Sequence, residues 1–266
     1  MDTIESITLA PAPDVESSRQ VLVVRMGRGR TGGTTVLDVM IQWARVAGRR
    51  VLIADGDLRN STLSSLYPPE AANGAMKPHS DDLDDMKDLF TTSLSKAVQA
   101  KASLVVDFGG GDRVLFEYGR EVSLVEMAEG LGMQPLALYV TGPDPDDFEH
   151  ILSLWTSGVF RPERSILVLN EHLVPSGRSP QGAFRYVLGR PEMERMADEG
   201  LRIVVMPRLP SMQQVREAGL SLVDAMVGKL GNKGVPLDPV RAFMVKSWFR
   251  RLEAAFAEVG ALEWLP

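Results

Sequence analysis

The 266-residue chain contains no cysteine, which excludes disulfide bonds, thiolate metal sites and cysteine nucleophiles. Histidine is also scarce: the three histidines lie far apart in the sequence, so a histidine-rich metal site is not expected. No apolar run approaches the roughly 20 residues that a membrane-spanning helix requires. The first residues lack a basic segment followed by an apolar one, so the sequence predicts a cytoplasmic protein without a secretory signal.

Positive charge is limited and unevenly distributed. The formal net charge is −6, which argues against extensive electrostatic coating of nucleic acid but leaves a local basic patch open. No lysine precedes Lys77, so every basic side chain in the first part of the chain is an arginine. This bias matters for the phosphate-binding motif described below, where arginine is the available substitute for lysine.

Short apolar segments alternate with helical patterns along most of the chain. The apolar segments are rich in β-branched residues, as is typical of strands buried on both faces of a parallel sheet. The alternation predicts right-handed βαβ crossovers and a three-layer α/β fold, with a mostly parallel sheet covered by helices on both faces. The predicted strands are 20–26, 51–54, 103–106, 136–140, 165–169 and 202–206, and the predicted helices include 34–47, 85–100, 113–131, 145–158 and 211–229.

The domain boundaries and three segments outside this alternation can also be predicted from the sequence. One domain is expected over residues 19–266, after a flexible leader at 1–18. The segment 68–85 contains proline, glycine and aspartate and is predicted to be a mobile loop. A closing helix is predicted over 238–260, because an Asp-Pro pair at its start supplies an N-cap and a preferred first helical residue. Its apolar stripe is expected to pack on the sheet; binding to a partner or a membrane surface is the alternative.

A glycine-rich segment lies between the first predicted strand and the first predicted helix. A phosphate-binding loop has the pattern Gly, four residues, Gly, Lys, and then Ser or Thr. Gly27 and Gly32 have this spacing and Thr34 occupies the hydroxyl position, but Gly33 stands in place of the lysine. Backbone N–H groups and the helix amino terminus still favour phosphate binding. The candidate nucleotide-binding residues of this loop are Gly27, Arg28, Gly29, Arg30, Thr31, Gly32, Gly33, Thr34 and Thr35.

The missing lysine removes the cation that contacts the terminal phosphates of a nucleotide. Arg28 and Arg30 lie within the loop and are candidates for partial compensation, although a guanidinium has a different reach from an ammonium. Taken alone, the broken motif is equally compatible with an ordinary glycine-rich turn of an α/β protein.

Acidic residues end two other predicted strands. Asp55 and Asp57 follow the second strand, at the sheet edge where open α/β proteins bind ligands. Asp107 ends the third strand and is followed by Phe108 and three glycines. A carboxylate there supports a magnesium ion through Thr34 or a water molecule, and the glycines allow close approach of the backbone to a terminal phosphate.

Two later strand ends complete the pattern. Asn170 offers a donor and an acceptor that suit a purine edge, and Pro207 offers an apolar contact to a base. Together with the loop and the acidic strand ends, these residues resemble the ParA/MinD group of partition and positioning ATPases, over roughly residues 20–230. The segment 207–224 is also similar to the family's segment after its last core strand. The resemblance implies that Asn170 and Pro207 contact adenine.

The resemblance further implies a homodimer that sandwiches two molecules of ATP or ADP with Mg²⁺. Asp57 would then position the hydrolytic water, while Asp55, Asp107 and Thr34 would support the metal. Arg28 stands where the family's signature lysine reaches into the partner's site, which makes Arg28 the second candidate catalytic residue.

The implied function is a nucleotide-dependent switch in plasmid or chromosome partition, maintenance or transfer. The departure at Gly33 implies weak or absent hydrolysis, because charge develops in the transition state of phosphoryl transfer. The alternative is a pseudo-ATPase that keeps the fold without nucleotide turnover and partners a DNA-binding protein. Nonspecific DNA contact stays open through a basic cluster on the closing helix, whereas membrane binding is not expected. The cluster consists of Arg241, Lys246, Arg250 and Arg251.

Overall fold

The computed structural model of the protein describes residues 19–109 and 112–266. The predicted leader and the last two glycines of the run after Phe108 lie outside the described residues. The strands are β1 (Gln20–Met26), β2 (Val51–Asp55), β3 (Ala75–Met76), β4 (Ser103–Asp107), β5 (Met133–Thr141), β6 (Arg164–Asn170) and β7 (Leu201–Met206). They form one sheet in the order β3-β2-β4-β1-β5-β6-β7, and each neighbouring pair is parallel.

Helices connect these strands. They are α1 (Gly33–Val46), α2 (Thr62–Leu66), α3 (Leu83–Ala100), α4 (Arg113–Glu121), α5 (Leu124–Gly130), α6 (Pro145–Ser157), α7 (Pro180–Ala183), α8 (Arg185–Leu188), α9 (Pro191–Asp198), α10 (Met212–Glu217), α11 (Leu222–Met226) and α12 (Pro239–Glu258). Short 3₁₀ turns lie at Glu171–Leu173 and Leu262–Trp264. In the described part of the chain, no helix is both long and apolar enough to cross a membrane.

Apolar side chains fill two cores, one on each face of the sheet. Alternate residues of β1 enter opposite cores, as the two-residue period of a strand requires. Val21 and Val23 pack on the side that holds α1 and α12, whereas Leu22 and Val24 pack on the side that holds α3 and α6. The predicted three-layer α/β fold is therefore confirmed.

The strand register places the predicted motifs at one edge of the sheet. Because all strands are parallel, their carboxyl ends meet at the same edge. Arg25 of β1 and Asp55 of β2 both lie opposite Asp107 of β4, which stands between them. At the other side of the sheet, Asn170 of β6 lies opposite Met206 of β7.

The segment 68–85 is not the continuous loop that its composition predicts. It contains β3, which pairs with β2 at the edge of the sheet, and the first turn of α3 begins at Leu83. A strand of two residues is too short to show an apolar period, so its pairing depends on the neighbouring strand rather than on its own sequence.

Two predicted helices are each divided into two. The 113–131 segment forms α4 and α5, and the 211–229 segment forms α10 and α11. In both cases a serine caps the second helix: Ser123 Oγ accepts from Glu126 N, and Ser221 Oγ accepts from Asp224 N. A serine side chain that satisfies a helix amino terminus favours a new start over continuation of the preceding helix.

The closing helix α12 packs on the sheet, but its buried stripe begins later than the sequence indicates. Val240 and Phe243, which the apolar pattern assigns to the stripe, are exposed, with Phe243 at 70% of its full accessibility. The buried side chains of α12 are Val245, Trp248, Phe249, Leu252 and Phe256. The first turn of the helix therefore extends past the body of the domain.

Candidate functional site

A cavity of about 280 Å³ lies at the carboxyl ends of the strands, beside the turn between β1 and α1. Most of the predicted site residues line it. They are Gly29, Arg30, Gly32, Gly33, Thr34, Thr35, Asp57, Asp107, Asn170 and Pro207. Four predicted residues, Gly27, Arg28, Thr31 and Asp55, are not part of the cavity wall.

The glycine-rich turn has the backbone conformation that its glycines permit. Gly27 has φ +120° and Gly32 has φ +94°, which side chains with a Cβ rarely adopt. A Cβ at Gly32 would also lie 2.3 Å from Asn170 Nδ2, so this position is closed to a side chain by contact as well as by backbone strain. The helix α1 begins directly after this glycine and directs its amino terminus at the cavity.

The hydroxyl of Thr34 and the carboxylate of Asp107 form the central polar contact. Thr34 Oγ1 donates to Asp107 Oδ2 at 2.7 Å, and Gly109 N donates to the other oxygen at 2.9 Å. Asp107 is almost fully buried, with 2% of its surface exposed. This pairing of a helix-start hydroxyl with a strand-end carboxylate is what a magnesium site beside a phosphate loop requires.

The protein's own oxygen atoms fit magnesium only as a partial ligand set. Within residues 19–109 and 112–266, no group of three or more acidic or histidine side chains converges as a metal cage. Magnesium commonly keeps several waters and takes further oxygens from substrate phosphates. Thr34 and Asp107 therefore suit a magnesium ion that arrives with a nucleotide.

Asp55 and Asp57 have different surroundings. Asp55 is 1% exposed, and its Oδ2 accepts from both the N–H and the hydroxyl of Ser64 at 2.7 Å each. Burial raises the pKa of Asp55, the bonds from Ser64 oppose that shift, and the neighbouring Asp107 carboxylate adds to it. Asp55 thus anchors the start of α2 beneath the cavity wall, and its metal role stays a prediction.

Asp57 stands on the cavity wall, between the turns that follow β2 and β4. Its Oδ1 accepts from the N–H groups of Arg59 and Asn60 at 3.1 and 2.9 Å, which fixes the carboxylate in place. A Cβ at Gly109 would come within 2.7 Å of Asp57 Cγ, so the two turns are in close contact. This position is compatible with the predicted role in orienting water, which stays a prediction.

Arg28 points away from the cavity, over α6. Its Nη1 lies 3.3 Å from Asp147 Oδ1 and 3.9 Å from Asp146 Oδ2, and 46% of its side chain is exposed. Burial raises the pKa of Asp147, and the Arg28 charge opposes that shift. In the single chain, Arg28 therefore interacts with carboxylates of its own molecule.

Asn170 connects the end of β6 to the glycine-rich turn. Its Nδ2 donates to Thr31 O at 2.8 Å, and its Oδ1 accepts from His172 N at 3.0 Å. Pro207 lies on the same side of the cavity, and its carbonyl accepts from Trp248 Nε1 of α12 at 2.6 Å. Both residues face the cavity, while their assignment to adenine stays a prediction.

Several wall residues are absent from the sequence-based predictions. Arg216 of α10 donates to Thr35 Oγ1 at 3.0 Å, and His172 lies beside it on the wall. Burial lowers the pKa of His172, and the charges of Arg208 and Arg216 lower it further. These side chains come from helices and turns whose spacing carries no recognisable motif, so the sequence gives no signal for them.

Arg25 is a wall residue that the sequence does signal, because a charged residue stands out near the end of an apolar strand. It is 3% exposed and lies beneath the glycine-rich turn. Its Nη2 donates to Arg28 O and, at 3.1 Å, to Thr31 Oγ1, while its Nη1 donates to Gly109 O and lies 3.9 Å from Asp107 Oδ1. The guanidinium thus joins the turns after β1 and β4.

No protein-family model matches the chain, and no curated protein is similar to it in sequence. Solved structures do share its fold. FtsY from Mycoplasma mycoides matches with 16% identity and a TM-score of 0.50, over 89% of this chain and 70% of that chain. The MinC:MinD cell division protein complex from Aquifex aeolicus matches with 14% identity and a TM-score of 0.50, over 88% of this chain and 96% of that chain.

These likenesses extend over nearly the whole described chain and concern the fold. The chain therefore has an α/β fold that is similar to the folds of MinD and FtsY. The predicted MinD-like architecture is confirmed at this level.

Proposed function

We propose that the protein is a nucleotide-dependent switch that binds ATP or ADP with Mg²⁺ in the cavity beside α1. The observation that carries this proposal is the 2.7 Å contact between the Thr34 hydroxyl and the buried Asp107 carboxylate, next to a glycine turn at a helix amino terminus. Backbone N–H groups of such a turn bind phosphate oxygens, and the helix dipole favours their negative charge.

Each part of the cavity wall takes a separate task in this proposal. Thr34 and Asp107 would hold Mg²⁺, and the ion would neutralise phosphate charge. Asp57 orients the attacking water, and Asn170 with Pro207 contacts the base. Turnover is slow or absent because Gly33 contributes no cation to the transition state.

The proposed setting is plasmid or chromosome partition, maintenance or transfer, in the cytoplasm, with a second copy of the chain and a DNA-binding adaptor as partners. The resemblance of the motifs to the ParA/MinD group supports this setting. The similar structure of a MinC:MinD complex supports the view that this fold offers a surface to a partner protein.

Thermal unfolding with a non-hydrolysable ATP analogue tests nucleotide binding. An analogue present at 100 times its dissociation constant is expected to stabilise the folded protein by about 2.7 kcal/mol, and removal of Mg²⁺ should abolish most of this effect. Thr34→Ala and Asp107→Asn should each lose the stabilisation. The matched control is Thr91→Ala, which removes an exposed hydroxyl on α3, far from the cavity. A wild-type protein that the analogue does not stabilise would contradict the proposal.

The second candidate function is that of a pseudo-ATPase, an interaction protein that retains the fold without a nucleotide. Two observations favour it: Gly33 lacks the ammonium group, and the Arg25 guanidinium already donates to carbonyl groups in the turns after β1 and β4. The same experiment separates the two candidates. Only the switch gains stability from the Mg²⁺-bound analogue, whereas the pseudo-ATPase unfolds at the same temperature with and without it.

A further inference from the structure

Arg25 is a charged residue inside a strand that is otherwise buried between two helical layers. Transfer of an unpaired charge into such an interior is costly, so a buried guanidinium requires compensation or a function. Its compensation is partial: the Nη groups have partners, but Nε has no hydrogen-bond partner among the described residues. The side chain nevertheless belongs to the cavity wall.

The position of Arg25 is related directly to the missing lysine. A Cβ built at Gly33 would lie 2.2 Å from Arg25 Nε and 3.0 Å from its Cγ and Cδ. The stem and Nε of Arg25 therefore occupy the space in which any side chain at position 33 would begin. A lysine at position 33 and this conformer of Arg25 exclude each other, which gives a physical reason for the glycine.

We propose that Arg25 is the phosphate-binding cation of this site and replaces, from the end of β1, the ammonium that position 33 lacks. The inference rests on the proposed nucleotide binding and assigns the cation within that site. The bonds from Nη1 and Nη2 to the two turns fix the guanidinium, and the unpartnered Nε–H is the donor left for a phosphate oxygen. Arginine suits the task because its guanidinium stays charged when buried.

The charge balance around Arg25 agrees with this assignment. Asp107 Oδ1 lies 3.9 Å from Nη1, which is too far for a hydrogen bond, and both Asp107 oxygens accept from Thr34 and Gly109 instead. Arg25 therefore retains positive charge that its carboxylate neighbour does not bind directly. The sequence suggests Arg28 and Arg30 as the first candidate cations. Arg28 lies outside the cavity wall, whereas Arg30 lies on it.

Paired substitutions at position 25 test the proposal. Arg25→Met keeps the length of the side chain and removes its charge, whereas Arg25→Lys keeps a charge. We expect Arg25→Met to weaken binding of the Mg²⁺-bound ATP analogue about 10- to 100-fold, as the loss of a charge-assisted contact predicts, and Arg25→Lys to weaken it less. Arg185→Met, an exposed arginine on α8, serves as the control for the substitution itself.

A charge swap tests whether a cation at position 33 can take over the task of Arg25. Gly33→Lys alone is expected to weaken binding, because its Cβ meets Arg25. The double variant Arg25→Met with Gly33→Lys is expected to bind the analogue more tightly than either single variant. A double variant that binds the analogue no more tightly than Arg25→Met would count against the assignment of Arg25 as the cation of this site.

A measurement on the wild-type protein covers the case in which a variant does not fold. The ¹H–¹⁵N signal of Arg25 Nε, which is buried and has no hydrogen-bond partner among the described residues, is expected to shift when inorganic pyrophosphate with Mg²⁺ is added. An unchanged Arg25 signal at saturating pyrophosphate would overturn the inference. Equal or tighter analogue binding by folded Arg25→Met would also overturn it, since the guanidinium would then merely fill the turn.

The failure of the inference and the failure of the proposed function give different results. If wild type and Arg25→Met bind the analogue equally well, the switch remains and Arg25 is not its cation. If wild type does not bind the analogue at all, the proposed function fails and the assignment of Arg25 fails with it.

Discussion

A single amide side chain, that of Asn170, joins segments that are far apart in the sequence. Its bond to Thr31 O holds the glycine-rich turn against the end of β6. The turn can approach this closely because Gly32 has no side chain. The shape of the cavity therefore depends on a residue without a Cβ as much as on the polar groups around it.

Gly32→Ala is expected to destabilise the protein more than an alanine at another glycine of similar conformation. Gly177 has φ +85°, near the +94° of Gly32, but a Cβ there meets no atom within 4 Å. Gly177→Ala thus measures the backbone strain alone, about 1–2 kcal/mol. Gly32→Ala adds the displacement of Asn170 from Thr31, so urea denaturation should give a larger loss. Equal losses for the two variants would show that the Asn170 contact contributes nothing.

At the scale of residues, the sequence identifies the polar strand ends but not their contacts. Asp55 and Asp57 are two positions apart and look equivalent in the sequence, yet Asp55 accepts hydrogen bonds from Ser64 of α2 and Asp57 faces the cavity. The difference arises from Ser64, a neighbour that no motif contains. Arg25 was visible as a charge in an apolar strand, but its position against Gly33 follows only from the packed structure.

Among the elements, α12 connects the core to the cavity. Its buried aromatic side chains contact Trp43 of α1 edge-on, with ring centroids 5.4 Å apart for Phe249 and 5.6 Å for Phe256. Trp248, the residue directly before Phe249, lies on the cavity wall and donates to the Pro207 carbonyl. Loss of packing in α12 is therefore expected to affect the cavity as well as the helix itself.

Phe256→Ala is expected to cost about 3–5 kcal/mol of unfolding free energy, as for other fully buried aromatic side chains. Phe243 lies on the same helix and is 70% exposed, so Phe243→Ala should change the unfolding free energy by no more than about 0.5 kcal/mol. Urea denaturation of both variants gives the comparison. Similar losses at the two positions would mean that α12 does not pack on α1 in the orientation described.

The elements themselves were largely predictable. Six of the seven strands follow from continuous apolar runs, because strands buried on both faces need no alternation to be recognised. The seventh, β3, has only two residues and depends on β2 for its pairing. The sequence predicts that α12 packs on the sheet, but it does not predict which residues of the helix are buried. Hydrophobicity identifies the apolar residues, while the extent of the domain decides which of them are covered.

In the whole molecule, the parallel sheet explains why one edge collects the functional groups. Loops after β1, β2, β4, β6 and β7 all open onto the cavity, since the strands share one direction. The alternation of strands and helices therefore predicts that the strand ends share one edge, although the order of the strands within the sheet differs from their order in the sequence. It cannot predict where a second molecule would dock, because exposed side chains follow no period set by the core.

The ion pair between Arg28 and Asp147 bears on the proposed homodimer. If Arg28 extends into the site of a second copy, it must first leave Asp147, from which it is 3.3 Å away. The Arg28 side of this pair is open to solvent, and ion pairs in contact with solvent contribute up to about 1 kcal/mol, so the intrachain pair is a modest competitor of the dimer contact. The two arrangements use the same guanidinium and cannot be occupied together.

Asp147→Asn is consequently expected to favour the dimer, and Arg28→Ala to oppose it. In sedimentation equilibrium with the Mg²⁺-bound ATP analogue, Asp147→Asn should strengthen dimerisation by up to about 5-fold for each Arg28 released. The double variant should behave like Arg28→Ala, because Asp147 acts only through the arginine that it holds. If Arg28→Ala dimerises as well as wild type, or if Asp147→Asn acts equally without Arg28, the exchange of partners does not take place.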